Sequence, residues 1–186
     1  MTKANLKDIA IKDSNVELKD TKEVVITAKD ACKSYYGCII KNVNNTAQTP
    51  LWMVEKLRRS GVSSISFFVD VTNYVMLLTG QPMHAFDLDK LDGDINIRYA
   101  NDKEKLTLLD KTEVVLESDT LVIADSSKSL AIAGVMGVLN SAITASTTNI
   151  FLESAFLYLK KSQVKPVNII FIQIHLIDLN EVLILN

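Results

Sequence analysis

The chain has 186 residues, 48% hydrophobic and 23% charged, with 20 Lys and Arg against 22 Asp and Glu for a formal net charge of −2. Six Gly and three Pro make 9 of 186, under half the roughly 12% of average usage, which excludes a collagenous, linker-like or low-complexity chain. The near-neutral charge argues against a protein that holds nucleic acid by charge alone. Two Cys, Cys32 and Cys38, are too few for a disulfide framework and read as thiols of a reducing compartment.

Residues 1–22 are polar and charged where a secretory signal needs an apolar stretch. Residues 1–34 read as a lead-in segment containing one strand, at 23–27. A second strand at 37–43 precedes a helix: Thr49 suits its N-cap, Pro50 its first turn and Gly61 its end, with Lys56, Arg58 and Arg59 near the negative end of the dipole. Leu51, Trp52, Val54 and Leu57 form its expected buried stripe. Val71, Val75 and Leu78, followed by Gly80, predict a second helix over 69–79. Strands are expected at 95–99, 106–109, 113–116, 121–124, 130–133 and 150–153, with Asp110-Lys111 as a tight turn. Helices early and strands late give an α+β class, with a mixed, mostly antiparallel sheet flanked by helices.

The most apolar stretch is 167–186, with ten Ile or Leu among twenty residues. Asn168, Gln173, His175, Asp178, Asn180 and Glu181 interrupt it throughout, so it does not read as a membrane span.

Generic signatures are missing: no Gly-x-Gly-x-x-Gly, no Gly-Lys-Ser/Thr phosphate loop, no His-Glu-x-x-His and no nucleophile elbow. Two His cannot make a histidine-rich metal site, and no metal is expected. His84 follows Gln81-Pro82-Met83, where Pro82 stiffens the backbone and holds Gln81 extended. It would sit on a loop beside Thr72 and Asn73 of the second helix, although spacing alone suits a histidine bonded to backbone better. Gly134 and Gly137 follow a strand and allow a ligand or another backbone to approach closely; packing glycines at a strand exit fit equally. Glu153 sits inside the apolar run 150–155, where a carboxylate is costly unless paired or functional, or else faces solvent by alternation.

Taken together, residues 49–61, 69–91, 105–125, 130–137 and 149–156, including Val-Asp-Val-Thr-Asn-Tyr and Gly-Gln-Pro-Met-His-Ala-Phe-Asp-Leu-Asp-Lys-Leu, resemble the B3/B4 region of the beta chain of bacterial phenylalanine–tRNA ligase. The resemblance implies a B3/B4-type domain over 35–161, truncated, and a divergent tail over 162–186. It implies a proofreading site that hydrolyses tyrosine wrongly attached to the phenylalanine tRNA. In it Glu153 accepts the phenol hydrogen bond, and Pro82, Gly134 and Gly137 help to hold the substrate. His84, Asn73 and Thr72 line the ester end, where His84 acts as a base or an orienting group. The implied partners are the 3′ end of mischarged tRNA and the alpha chain of the full heterotetramer, with no membrane and no DNA, in the cytoplasm. ATP and Mg²⁺ serve the full enzyme, and no cofactor is implied in this stretch. A non-catalytic scaffold of the same subunit and a free-standing trans-editing protein are the alternatives.

Three departures from the family stand out. Val138 replaces a second Gly after Met-Gly and is expected to crowd the pocket. Ser66, Phe67 and Phe68 stand where Asn-Asn-Val is usual. After Lys161 the resemblance stops, yet residues 171–185, read one frame over, permit every residue of the family's run His-Thr-Asp-Ser-Ser-Tyr-Arg-Phe-Glu-Arg-Gly-Val-Asp-Pro. A frameshift near 164–167 is therefore expected.

Overall fold

The computed structural model describes residues 19–158; the tail expectation over 162–186 lies outside them. In chain order the elements are β1 (Val24–Ile26), β2 (Cys32–Ile40), α1 (Leu51–Arg59), α2 (Phe67–Thr79), β3 (His84–Asp87), β4 (Ile95–Tyr99), β5 (Lys105–Thr107), β6 (Glu113–Val115), β7 (Leu121–Ala124), β8 (Ser129–Ile132), β9 (Met136–Gly137) and β10 (Ile150–Leu157). Short 3-10 turns lie at Leu88–Lys90 and Leu139–Ser141.

Strand alternation dictates the layers. On β4 and β7, Ile95, Ile97, Leu121 and Ile123 turn one way, and all are at most 2% exposed. They meet Phe86 and Phe151 of a facing sheet in the main core. Val122 and Ile132 turn the other way, onto Leu106, Leu108, Leu116 and Val138. β7 and β8 are therefore buried on both faces. Each such side chain contributes about 1.5–3 kcal/mol by leaving water.

Five strands run in the order β1-β4-β7-β8-β9, three in the order β2-β10-β3, and β5-β6 form a hairpin. Only β1 and β4 pair in parallel; the other ladders are antiparallel. The α+β class with a mixed, mostly antiparallel sheet is thus what the chain adopts.

Helix α1 ends as expected, with Lys56, Arg58 and Arg59 in its last turn and Gly61 just beyond at φ 79°. Its start and stripe differ from expectation. The Thr49 hydroxyl caps nothing on α1; it donates to Asp70 of α2, which also takes the Ser64 hydroxyl and the Ile65 N–H at 2.9 Å. Met53 and Leu57 are the buried residues, packed on Val62, Val71 and Tyr74, whereas Leu51 is 82% and Trp52 53% exposed. Among the described residues the helix packs chiefly on α2 and Val62, so only the i, i+4 pair Met53 and Leu57 is buried.

Helix α2 begins two residues earlier than the apolar spacing indicated, with Asp70 buried in its first turn, and closes on Gly80 at φ 76°. The Asp110-Lys111 turn forms: the Leu108 N–H bonds Thr112 O at 2.9 Å, with Lys111 at φ 69°.

Two strand boundaries differ in ways that matter for the site. β2 starts at Cys32, five residues before the expected 37, and so brings Tyr35 into the sheet. β10 continues four residues past Glu153, to Leu157. His84, expected in a loop, is the first residue of β3. The cause is tertiary: β10 is the central strand of its sheet, and His84 to Asp87 fill its second edge. Asp87 fixes that register, its carboxylate accepting from the Thr147 hydroxyl at 2.6 Å while the next residue, Leu88, donates its N–H to Asn149 O at 3.0 Å.

Candidate active site

Glu153 lies at the middle of β10, opposite Gly37 of β2 on one side and His84 of β3 on the other. Directly opposed residues project on the same face of a sheet, here the face turned to the main core. Glu153 is 9% exposed, and its Oε2 has no hydrogen-bond partner among the described residues. Burial pushes its carboxyl up to about 7, against a smaller downward pull from the Tyr35 phenol. Near neutral pH the group therefore passes between acceptor-only carboxylate and neutral acid.

Tyr35 stands opposite Ala155, one diagonal step from Glu153. Its Oη is likewise buried without a partner. Burial first, and the facing Glu153 carboxylate second, push its phenol far above its usual range, so it remains a donor. The same two causes raise the Cys32 thiol.

His84 carries a partly buried ring, and burial lowers it to about 4, so the imidazole is neutral at pH 7. Its edge meets Phe86 at 4.6 Å between centroids. Its other flank rests on Gly137 of β9: a Cβ there would stand 2.9 Å from Nε2 and 3.0 Å from Cε1. The missing side chain is what lets the two sheets meet at the imidazole. Gly37, opposite Glu153, makes room within its own sheet for the Phe151 ring of the neighbouring strand, since a Cβ on it would fall 2.2 Å from Phe151 Cζ.

Glu153, His84 and Gly137 thus come together. Pro82 is held near them by Gln81, whose side-chain amide donates to Pro82 O at 3.2 Å and to Ala155 O of β10 at 3.1 Å. Thr72 turns its hydroxyl back to Val69 O at 3.0 Å within α2, which leads through four residues to His84. Neither Thr72 nor the adjacent Asn73 is hydrogen-bonded to His84 or Glu153 among the described residues. Gly134, at φ 70°, belongs to the turn from β8 to β9. Val138 does not crowd this side: alternation sends it into the second core with Leu108, opposite to Gly137.

Tyr35, Gly37, Phe86 and Phe151 are the neighbours that sequence reading passed over. The period-2 sequence Tyr35, Gly37, Ile39 was the available signal, hidden because Gly37 was read as the strand's start. A pocket of about 430 Å³ is lined by residues that include Asn96, Arg98, Asp125 and Lys128, not by the Glu153–His84 pair. Among the described residues no three His, Cys, Asp or Glu group to hold a metal, and no helix is long and apolar enough to cross a membrane.

Residues 31–165 match the family model described as the B3/4 domain. The chain belongs to the B3/4 domain family. The resemblance first carried by the Gly-Gln-Pro-Met-His run is borne out by the relatives of this B3/4 domain. It is 74% identical over 156 residues to the phenylalanine–tRNA ligase beta subunit of Francisella tularensis, covering 84% of this chain and 20% of that one. It is 59% identical over 139 residues to the same subunit of Colwellia psychrerythraea, covering 75% and 17%. The chain thus spans about a fifth of the length of the curated relatives it matches. In fold it is similar to the crystal structure of an N-terminal fragment of the phenylalanyl-tRNA synthetase beta-subunit from Pyrococcus horikoshii, with a TM-score of 0.56 at 16% identity over 78% of this chain and 46% of that one.

Proposed function

We propose that this B3/4 domain is the proofreading part of a phenylalanine–tRNA ligase beta subunit, hydrolysing tyrosine wrongly esterified to the 3′ end of the phenylalanine tRNA. The observation that carries the reading is Glu153, a buried carboxyl with an unpartnered oxygen placed in register with a neutral histidine. A site built to bond a hydroxyl rejects the analogue lacking it by about 10⁴ to 10⁵, because its own buried polar group is then left unpaired. Tyrosine offers that hydroxyl and phenylalanine does not.

In this reading the Glu153 carboxylate accepts the substrate phenol's O–H. The neutral imidazole of His84 holds the attacking water, as acceptor or base, close to the ester carbonyl. Water oxygen bonds to the carbonyl carbon, the carbon–oxygen bond to the ribose breaks, and the proton ends on the freed ribose hydroxyl. Thr72 and Asn73 supply a hydroxyl and an amide for the ester end, Pro82 and Gly134 shape the loops around it, and Gly137 leaves room beside the imidazole. The alpha chain, ATP and Mg²⁺ belong to the ligation reaction of the whole enzyme. No step here runs through them.

Deacylation of tyrosyl-tRNA by the assembled ligase carrying this segment tests the reading. His84→Ala should slow hydrolysis by about 10²-fold, in the range of a positioned base, and Glu153→Ala should slow it by removing the acceptor for the phenol, with phenylalanine attachment unaffected. Unchanged hydrolysis rejects the site.

A further inference from the structure

Two polar atoms in the main core lack partners, and they are complementary. Tyr35 Oη is a donor and Glu153 Oε2 an acceptor; both side chains are about nine-tenths buried and share one face of the β2-β10 ladder. Buried polar atoms in folded proteins almost always have a partner, so two orphans side by side call for an explanation.

The obvious one, a direct bond between them, is not fully formed. The phenol faces the carboxyl closely enough to pull its proton affinity down as a hydrogen-bond donor does, yet neither Tyr35 Oη nor Glu153 Oε2 meets a partner at bonding distance and angle. Of the other groups on this face, the Cys32 thiol donates to Ser34 O at 3.5 Å, Gly37 opposite Glu153 on β2 has no side chain, and His84 stands opposite Glu153 on β3; none of them bonds Glu153 Oε2. The two orphans together suit one group that both accepts and donates.

We propose that Tyr35 is the second half of the hydroxyl receptor, donating its phenol O–H to the phenol oxygen of the bound tyrosyl group while Glu153 accepts that group's proton. A phenol carries one donor and free acceptor capacity, so it satisfies both orphans at once. A phenylalanyl ring satisfies neither, which leaves two buried polar groups unpaired instead of one and deepens the discrimination. This inference rests on the proposed proofreading role.

The test measures binding of two non-hydrolysable 3′-end mimics to the full chain: adenosine carrying tyrosine through a 3′-amide, and the same molecule carrying phenylalanine. Tyr35→Phe keeps the ring and removes only the donor. It should cut the preference for the tyrosyl mimic about 3- to 10-fold, the worth of one neutral hydrogen bond, through weaker tyrosyl binding, with phenylalanyl binding held or improved. Glu153→Gln should reduce the same ratio and serves as the reference. If Tyr35→Phe keeps the wild-type ratio while the wild type still prefers tyrosine, Tyr35 only packs, and the proofreading role stands without it. If the wild-type chain shows no preference, both readings fall.

Discussion

Glu153 on β10 and His84 on β3 face each other in register, and burial moves them in opposite directions, the carboxyl up to about 7 and the imidazole down to about 4. Both shifts favour the uncharged form, yet they pull stability oppositely with pH. The folded carboxyl keeps its proton between its ordinary 4.5 and about 7 while the unfolded chain has lost it, so stability falls as pH rises through that window. The folded imidazole stays neutral between about 4 and its ordinary 6.5 while the unfolded chain takes up a proton, so stability falls as pH drops through that window.

The two slopes therefore nearly cancel between about pH 4.5 and 6.5 in the wild type. In Glu153→Gln the histidine slope should emerge, with stability lost on acidification below pH 6.5. In His84→Gln the carboxyl slope should emerge, with about 3 kcal/mol lost between pH 4.5 and 7. Urea midpoints across pH 4–8 read both, and identical profiles for all three proteins would contradict the burial of the pair.

Two glycines differ in how much they can be filled. Gly37→Ala places a methyl 2.2 Å from Phe151, whose ring is 1% exposed and has nowhere to go. It should cost about 3 kcal/mol or more. Gly137→Ala meets the His84 imidazole at 2.9 Å; that ring is only partly buried and can give, so about 1 kcal/mol is expected. The second variant should nonetheless impair hydrolysis more than its stability loss explains, because it displaces the histidine. Thermal melts alongside deacylation rates separate the two effects.

Asp70 ties α1 to α2 by accepting from the Thr49 and Ser64 hydroxyls and the Ile65 N–H while fully buried. Asp70→Ala leaves three donors unpaired and should cost about 3 kcal/mol, against about 1 kcal/mol for Thr49→Ala. Hydrogen exchange at the Ile65 amide should accelerate in the first and hold in the second.

The tail offers a test that needs no protein. If residues 171–185 are an out-of-frame reading, the gene's neighbouring frame encodes His-Thr-Asp-Ser-Ser-Tyr-Arg-Phe-Glu-Arg-Gly-Val-Asp-Pro. Genomic sequence through codons 160–186 shows whether it does, and any interruption of that run sinks the frameshift idea.

How much of this was legible depended on whether the signal was local. β4 and β7 were predicted with their observed ends, because Ile95 to Tyr99 alternates apolar with polar residues and Leu121 to Ala124 is an unbroken apolar run. Gly80 closed α2 where expected. The errors came from partners distant in the chain. Thr49 looked like a cap until Asp70 claimed its hydroxyl. Trp52 and Leu51 looked buried because nothing local says α1 packs chiefly on one neighbour. His84 looked like a loop residue because Pro82 precedes it, and the edge it fills belongs to a strand nearly seventy positions later. Of the candidate residues, Glu153 was conspicuous as a carboxylate among apolar neighbours. Tyr35 was not, because a tyrosine in a strand is ordinary until its unpaired oxygen is seen beside another.

The central place of β10 also sets an order of assembly. Its partners, β2 and β3, do not pair with each other; Ile40 and Asp87 both wait for Ile150. While the chain is being made, each therefore carries two open edges until residues 150–157 emerge, and long-range pairing of this kind is slow. A chain stopped short of β10 would present unpaired Cys32–Ile40 and His84–Asp87 backbones to other copies of itself. The strand that bears the carboxylate is thus also the one that closes one open edge on each of them.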